Sequence, residues 1–287
     1  MKSKIINTQP REENQHIHSP YRIAGVALIL VGLLLVLDQI LKTGWLTFTV
    51  FPLCGLVLIY LGFNTRNFGL LIAGSLVLGL GSAAYLILSQ INEQPFIERI
   101  GKGLILFGGS WVLITLLSAV IHRSPAMWAL IPGGVIIGLG ISFARVPMRV
   151  LDFILFISCG IGISMLIWGI TNRLFGLIIP GCLALTIGPG IYFSWPDLID
   201  LNALAQTGAM LVWFAFGWGM ISILSRRIYG KFVWWPLIPG GILAVTGWGL
   251  FIGGDPGNAL GFIGNTGSIA MLVFGLYLLL MRKGIQQ

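Results

Sequence analysis

Charged side chains are scarce in this sequence of 287 residues. Only 9% of the residues are charged and 56% are hydrophobic, whereas a soluble domain has roughly 25% charged residues. A soluble protein of this length needs more polar surface than that, because most of its outer shell contacts water. The composition therefore excludes an ordinary soluble protein and predicts one whose outer surface contacts lipid.

Residues that commonly carry catalysis or bind metals are also few. The three cysteines lie inside apolar runs and the three histidines lie outside them: Cys54, Cys159, Cys182, His16, His18 and His122. Their spacing fits no metal site, and the sequence has no nucleophile–histidine–acid set, phosphate-binding loop or dinucleotide-binding fingerprint. No ionisable residue lies in the middle of an apolar run, which argues against a transporter driven by protons or sodium through a carboxylate. We therefore expect no enzymatic activity, no metal site and no cofactor.

What the sequence has in abundance is apolar runs long enough to cross a membrane, which takes about 20 residues. Ten runs are separated by polar breaks, at residues 22–41, 45–63, 68–88, 103–121, 126–144, 150–170, 174–193, 205–224, 232–252 and 264–281. The first two cannot form one helix, because about 40 residues of helix would extend about 60 Å, twice the hydrocarbon thickness. The predicted fold is an all-α integral membrane protein with about ten transmembrane helices.

The apolar runs follow one another too closely for a soluble domain to lie between them. We predict a single membrane domain over residues 22–283, between a disordered cytoplasmic tail of residues 1–21 and a short tail of residues 284–287. No small-residue cleavage site follows the first run, which indicates a signal-anchor helix and not a cleaved secretory peptide.

Basic residues are distributed unevenly between the two ends of the predicted spans. With ten spans both termini lie on one side, and that side holds 12 of the 17 lysines and arginines. Most of the acidic residues lie towards the other side. Because cytoplasmic loops of membrane proteins are enriched in Lys and Arg, we expect both termini in the cytoplasm. The net charge of +8 then reflects orientation and not nucleic-acid binding.

A short motif recurs in every odd-numbered span. Ile-Ala-Gly or Ile-Pro-Gly is followed by a second glycine seven residues after the first, and an aromatic residue precedes each copy. The motif glycines are Gly25, Gly32, Gly74, Gly81, Gly133, Gly140, Gly181, Gly188, Gly240 and Gly247. Glycines seven residues apart lie on one face of a helix, where a neighbouring backbone can come close. We therefore interpret them as a helix-packing motif.

The recurrence of the motif indicates a repeated helical hairpin. Each even-numbered span ends in a basic residue, so a unit of two spans occurs five times in the same direction. The five parallel hairpins cover residues 22–66, 67–123, 124–173, 174–227 and 231–283.

Shorter and longer intervals alternate between successive copies of the motif. The motif isoleucines are Ile23, Ile72, Ile131, Ile179 and Ile238. The longer intervals contain the longer outer loops, near 89–102 and 194–204. Measured over two hairpins the interval is nearly constant: Ile23 to Ile131 is one residue longer than Ile72 to Ile179 and Ile131 to Ile238, which are equal. A four-span unit with this interval as its period, used two and a half times, fits better than five equal copies.

Three copies of the motif contain a proline, at Pro132, Pro180 and Pro239. A proline one or two turns inside a helix frees a carbonyl and should bend the helix there. The structural interpretation is a bend that helps packing; the functional alternative is that the bent helices line a cavity, as broken helices do in transporters. We favour packing, because all the copies run in the same direction.

Four charged residues form a candidate polar cluster at the predicted outer face: Asp38, Arg145, Arg149 and Asp152. Asp38 lies in the last turn of the first span and Asp152 in the first turn of the sixth. A carboxylate there can reach water or a basic residue of the adjoining loop. A salt bridge at the membrane surface is the structural interpretation, and a substrate site is the functional alternative.

The repeated hairpin resembles the membrane region of the LiaI/LiaF-like bacterial envelope-stress proteins. The resemblance is carried by Gly25-Val-Ala-Leu-Ile-Leu-Val-Gly32 with the following span to Gly62, by Trp128-Ala-Leu-Ile-Pro-Gly-Gly134 and by Trp235-Pro-Leu-Ile-Pro-Gly-Gly241. It implies a protein of the bacterial inner membrane that is connected with the cell envelope.

Three functional hypotheses follow. The leading one is a non-enzymatic multi-pass membrane protein that packs with other membrane proteins or alters the local bilayer, in cell-envelope homeostasis or stress response. The second is a channel or uniporter for a small neutral or amphipathic solute, with the odd-numbered helices around a central path. A membrane enzyme acting on lipid-linked substrates is the third. The expected partners are the lipid bilayer and other membrane proteins, and no nucleic acid.

Overall fold

Every regular element that the structure describes is a helix. The computed structural model describes residues 20–41, 45–88, 94–195 and 202–253, together with Gly261, Gly264, Gly267 and Met271. The helices in these ranges are α1 (Pro20–Leu41), α2 (Trp45–Thr65), α3 (Phe68–Leu88), α4 (Phe96–His122), α5 (Leu130–Ala144), α6 (Val150–Thr171), α7 (Phe175–Ser194), α8 (Ala203–Tyr229) and α9 (Leu237–Gly253), with a 3₁₀ turn at Met127–Ala129 before α5. The chain divides into a first unit, Met1–Val50, and a second unit, Phe51–Gln287.

Six segments are long and apolar enough to cross a membrane. They comprise α3, α4, α5 with its preceding 3₁₀ turn, α6, α7 and α8. Shorter apolar helical segments cover Val31–Ile40, Thr49–Thr65 and Leu237–Gly253. The predicted class, an all-helical multi-pass membrane protein, is confirmed. Most of the predicted tenth span and of the two predicted tails lies outside the described residues.

The boundaries of several helices differ from the sequence prediction. The helix α4 begins at Phe96, seven residues before the predicted span, because Glu98 and Lys102 form an ion pair one turn apart at 2.8 Å and such pairs support a helical first turn. The predicted loop at 89–102 is therefore shorter than expected. Conversely, α9 begins only at Leu237, directly after Pro236.

In two of the three copies, the motif proline lies nearer the start of its α-helix than predicted. Pro132 is the third residue of α5 and Pro239 the third residue of α9. A proline in the first helical turn loses no intrahelical hydrogen bond, because the N–H groups there have no partner within the helix. Only Pro180 lies inside its helix, where it is the sixth residue of α7.

The even-numbered helices of the second unit end in a left-handed residue. This residue is an arginine after α2, α4 and α6, with φ of 52° at Arg66, 54° at Arg123 and 53° at Arg173, and it is Gly230 after α8. After α6, Leu174 N–H donates to the Gly169 carbonyl at 2.8 Å and Arg173 N–H donates to the Ile170 carbonyl at 3.3 Å, which is the Schellman pattern. The chain thus reverses direction through a compact turn.

The helices of the second unit pack in chain order. The extensive contacts among the described helices join α3 with α4, α4 with α5, α5 with α6, α6 with α7, α7 with α8 and α8 with α9. A set of helices that each contact only the previous and the next one forms a layer one helix thick, like the nearest-neighbour packing of repeat proteins. Exposed apolar side chains occur along all of these helices.

Motif glycines bring neighbouring backbones into contact. In α5, a Cβ added at Gly140 would lie 2.7 Å from the Gly101 carbonyl oxygen of α4, and one added at Gly133 would lie 3.2 Å from that of Gly108. The pair α8/α9 repeats this arrangement, because a Cβ at Gly247 would lie 2.6 Å from the Gly208 carbonyl oxygen. A side chain at these positions would push the helices apart.

In all four odd-numbered helices of the second unit, the motif glycines face the preceding helix. A Cβ at Gly74 in α3 would lie 2.7 Å from the Ile59 nitrogen of α2, and one at Gly188 in α7 would lie 3.1 Å from the Ile154 carbonyl oxygen of α6. Gly81, Gly181 and Gly240 face α2, α6 and α8 in the same way. In the first unit, no described residue lies within 4 Å of a Cβ added at Gly25 or Gly32.

The even-numbered helices carry matching small residues, also seven apart. They are Gly55 and Gly62 in α2, Gly101 and Gly108 in α4, Gly162 and Gly169 in α6, and Gly208 and Ala215 in α8. Each glycine of this set faces the following odd-numbered helix. Each contact between an even-numbered helix and the next is therefore made by two antiparallel rows of small residues.

Two adjacent glycines of α4 allow a matched test of this packing. A Cβ at Gly108 would lie 2.9 Å from the Ile137 nitrogen of α5, whereas nothing described lies within 4 Å of one at Gly109. We expect Gly108→Ala to destabilise the protein by about 1–3 kcal/mol through overpacking, and Gly109→Ala to leave it unchanged or slightly more stable. Thermal unfolding in detergent measures both variants. Equal midpoints for the two variants would rule out glycine-mediated contact between α4 and α5.

Candidate functional site

The turn between α5 and α6 brings together three of the four residues of the predicted polar cluster. The helix α5 ends at Ala144 and is followed by Arg145, while Arg149 immediately precedes α6 in extended conformation. Asp152 is the third residue of α6, and a carboxylate in the first turn is favoured by the helix dipole. Both arginines are exposed, whereas Asp152 is buried.

Asp152 and Arg145 form an ion pair of unequal exposure. The Arg145 Nη1 lies 3.8 Å from the Asp152 Oδ1; the arginine side chain is 56% exposed and the aspartate side chain 4%. The Asp152 Oδ1 accepts no hydrogen bond from any described residue. The Arg145 guanidinium also lies over the Phe156 ring, at 5.2 Å from the ring centroid. The aspartate and the aromatic ring, one turn apart on α6, thus hold the same guanidinium.

The fourth member, Asp38, is buried in α1 of the first unit, where it has an interaction partner. Asp38 belongs to the first unit, whereas the other three residues belong to the second. The predicted salt bridge at Asp152 is present, with Arg145 as its basic partner. Phe156 was not predicted to be part of the cluster, although its position four residues after Asp152 is a detectable signal for a shared helix face.

A second polar feature is a set of hydroxyl groups between the helices. Ser158 in α6 donates to the Ala184 carbonyl of α7 at 2.6 Å, and Ser164 in α6 donates to the Leu130 carbonyl of α5 at 2.8 Å. Ser142 in α5 donates to the backbone carbonyl of Asp152 at 3.2 Å. These hydroxyls are hydrogen-bonded to a neighbouring backbone, which is a typical way of joining helices in lipid.

Equivalent contacts recur at the ends of α4 and α8. The Trp111 and Trp128 rings meet edge to face at 6.0 Å, and the Trp218 and Trp235 rings do so at 5.9 Å. The hydroxyl oxygen of Ser118 accepts the Ala126 N–H at 2.7 Å, and that of Ser225 accepts the Val233 N–H at 3.2 Å. The residues of α4 and of the turn after it match those of α8 and of the turn after it. The interval between matched residues is the same as that between Ile131 and Ile238. Sequence reasoning did not single out these tryptophans and serines as a set, although their common interval is visible in the sequence.

The motif glycines of α3, α5, α7 and α9 therefore lie in packed interfaces, and Arg145, Arg149 and Asp152 lie at the turn between α5 and α6. Within the described ranges no three His, Cys, Asp or Glu side chains are grouped so that they could hold a metal ion. Comparison of the chain with protein-family models, with curated proteins and with solved structures gives no match.

Asp152 is buried and Arg145 is half exposed, so we expect that removing one of these charges changes the stability more than removing the other. Arg145→Gln leaves a buried carboxylate without its cation, so we expect a loss of about 1–3 kcal/mol, below the cost of breaking a fully buried pair because Arg145 is half exposed. Asp152→Asn leaves an arginine that water can solvate, so we expect a smaller loss. The double variant should recover most of the stability lost in Arg145→Gln. Thermal unfolding in detergent measures this cycle, and strictly additive losses would contradict the coupling.

Proposed function

We propose that this chain is a non-enzymatic scaffold of the bacterial inner membrane. In this proposal it packs with other membrane proteins or alters the bilayer around it, in cell-envelope homeostasis or stress response. The observation that carries the proposal is the layer of helices in the second unit, each extensively contacting only its chain neighbours. Such a layer presents two broad apolar faces within the membrane, and lipid or partner helices must cover them.

The exposed face of α6 illustrates the surface that this layer offers. Ile163, Ile167 and Ile170 lie on one side of the helix and are exposed, because residues three and four apart share a helix face. The adjacent Leu166 is buried. The exposed isoleucines contribute no hydrogen bonds, so a partner on this face would be selected by shape and small-residue contacts.

We further propose that the chain contains five hairpins and ten spans, arranged as a repeated four-span unit. In support, α4 and α8 both have 27 residues, and the interval between their first residues, Phe96 and Ala203, equals that between Ile131 and Ile238. The paired tryptophans and the paired serine–amide contacts keep the same offset. An apolar composition alone would not produce equal helix lengths, tryptophan contacts and serine–amide hydrogen bonds at the same sequence offset. Their agreement favours duplication of a four-helix unit.

Both termini are proposed to lie in the cytoplasm. This orientation rests on the uneven distribution of lysine and arginine, and the left-handed arginines Arg66, Arg123 and Arg173 all lie on the proposed cytoplasmic side. Arg226 and Arg227 in the last turn of α8 lie on that side too. An even number of spans is required for the two ends to share a side.

Cysteine labelling tests this topology. With the three native cysteines replaced by alanine, Ser3→Cys and Gln286→Cys should both resist a membrane-impermeant thiol reagent added outside intact cells, and both should react after permeabilisation. Met148→Cys, in the turn between α5 and α6, is the control expected to react from outside. Labelling of only one terminus in intact cells would overturn the ten-span topology.

Photo-crosslinking tests the scaffold function. A photoreactive residue at the exposed Ile167, which is 45% accessible, should capture the same membrane protein or the same chain reproducibly in cells. The same residue at the adjacent Leu166, which is 9% accessible, should capture only its own chain, at α7 or α8. A chain that crosslinks only lipid at its exposed positions, and that conducts a neutral solute in proteoliposomes, would be a channel or uniporter instead.

A further inference from the structure

A contact between two aromatic rings joins the turn after α6 to the end of α8. The Phe175 ring, at the start of α7, meets the Tyr229 ring, the last residue of α8, edge to face at 5.8 Å. Both rings also pack against a buried cluster that includes Ile178 of α7 and Ile221 of α8. The basic residues of the α6–α7 turn and of the α8 end are therefore held close to each other.

These basic residues form a group that we name the basic cluster. Its members are Arg173 after α6, Arg226 and Arg227 in the last turn of α8, and Lys231 after α8. All four residues are exposed. In the part of the chain that the structure describes, none of their side chains forms an ion pair or a side-chain hydrogen bond. Their charges are therefore available to a ligand.

The acids among the described residues of the second unit are far from the basic cluster. They are Glu98 and Asp152, in the first turns of α4 and α6, whereas the cluster lies at the C-terminal ends of α6 and α8. The two ends of a 22-residue helix such as α6 are about 33 Å apart. This distance exceeds the Debye length of about 8 Å at physiological ionic strength. The four cations therefore give the cluster a net charge of +4.

The end of α4 shows that this concentration of charge is particular to α8. The two helix ends are matched by the interval between Ile131 and Ile238, and three matched positions differ: Ala119, Val120 and Ser124 stand where α8 and its turn have Arg226, Arg227 and Lys231. The turn after α4 has Arg123. The orientation bias of lysine and arginine is already served by one such arginine per turn, so the additional cations at α8 indicate a ligand.

Exposed apolar side chains in the same two turns select the kind of ligand. They are Leu174, Phe232, Trp234 and Trp235. Aromatic rings are enriched where lipid headgroups meet acyl chains, and lysine and arginine reach the phosphates from that level. A lipid can cover the rings and neutralise the cations together. An acidic protein surface in water would neutralise the cations and leave the rings to the solvent, so the combination favours a lipid.

From this arrangement we propose that the basic cluster binds the phosphodiester headgroup of an anionic phospholipid. The guanidinium groups of Arg173, Arg226 and Arg227 donate to phosphate oxygens, whose geometry they match, and Lys231 adds a fourth positive charge. The exposed rings of the α8–α9 turn contact the lipid below its headgroup. The site requires only that the helices cross a membrane. Its failure would leave the scaffold proposal intact, and failure of the photo-crosslinking test would leave this site intact.

Native mass spectrometry of the full chain in detergent tests the proposal with defined lipids. Phosphatidylglycerol should bind more tightly than phosphatidylcholine with the same acyl chains. One basic residue near an anionic lipid contributes about a factor of five. Arg173→Gln should therefore weaken phosphatidylglycerol binding about fivefold, and the double variant Arg226→Gln with Arg227→Gln about 25-fold. Arg123→Gln is the matched control, because Arg123 is a left-handed arginine like Arg173, and it should bind as the unmodified protein does.

A second double variant separates charge from folding. Arg226→Lys with Arg227→Lys keeps both charges and should retain most of the phosphatidylglycerol binding. Because all the substituted residues are exposed, every variant should unfold at the same temperature as the unmodified protein.

Three results would overturn the site. The first is unchanged phosphatidylglycerol binding in Arg173→Gln or in the double glutamine variant; loss of a co-purifying protein from that same variant would assign the cluster to an acidic protein. The second is an equal loss of binding in Arg123→Gln, because any basic turn would then serve. The third is competition by glycerol phosphate as effective as that by the lipid, because the ligand would then be a soluble anion.

Discussion

Close approach of helix backbones is the constraint on which the rest of this structure depends. Lipid tails are as apolar as leucine, so burying apolar side chains gives little drive for helices to associate within a membrane. Contact between backbones must supply it, and only glycine permits a separation this small. Each inner helix therefore needs two small-residue faces. In α5, Gly140 faces the Gly101 carbonyl of α4, while a Cβ at Gly138 would lie 2.5 Å from the Phe156 carbonyl oxygen of α6. This two-sided packing lets the chain extend helix by helix without a central core.

At the edges of this layer, local backbone preference and the placement of basic residues conflict. A left-handed residue after a helix is normally glycine, because a Cβ there costs roughly 1 kcal/mol or more. Arg66, Arg123 and Arg173 occupy such positions nevertheless, and their charges contribute to the orientation bias. After α8 the conflict is resolved differently: Gly230 takes the left-handed position, and the charges move into the last turn at Arg226 and Arg227.

Asp152 is the most buried acid among the described residues of the second unit, and it illustrates why a charge is tolerated at the end of a helix. Asp152 lies in the first turn of α6, where the helix dipole favours a negative charge, and Arg145 reaches it from the preceding turn. The arginine remains in contact with the surface. A buried acid is thereby paired with an exposed base.

The sequence by itself determined the class of the protein, the approximate spans and the alignment of the motif glycines on one helix face, because run length and residue spacing act within a single helix. Tertiary structure decided the rest. Glycines seven residues apart fit either neighbouring helix equally well, and only the packed helices show that Gly133 and Gly140 face α4. Both arginines of the α5–α6 turn are close enough in sequence to pair with Asp152, and the path of the turn selects Arg145. Whether Pro132 bends a helix depends on where that helix begins, which the contacts at its end determine and its composition does not.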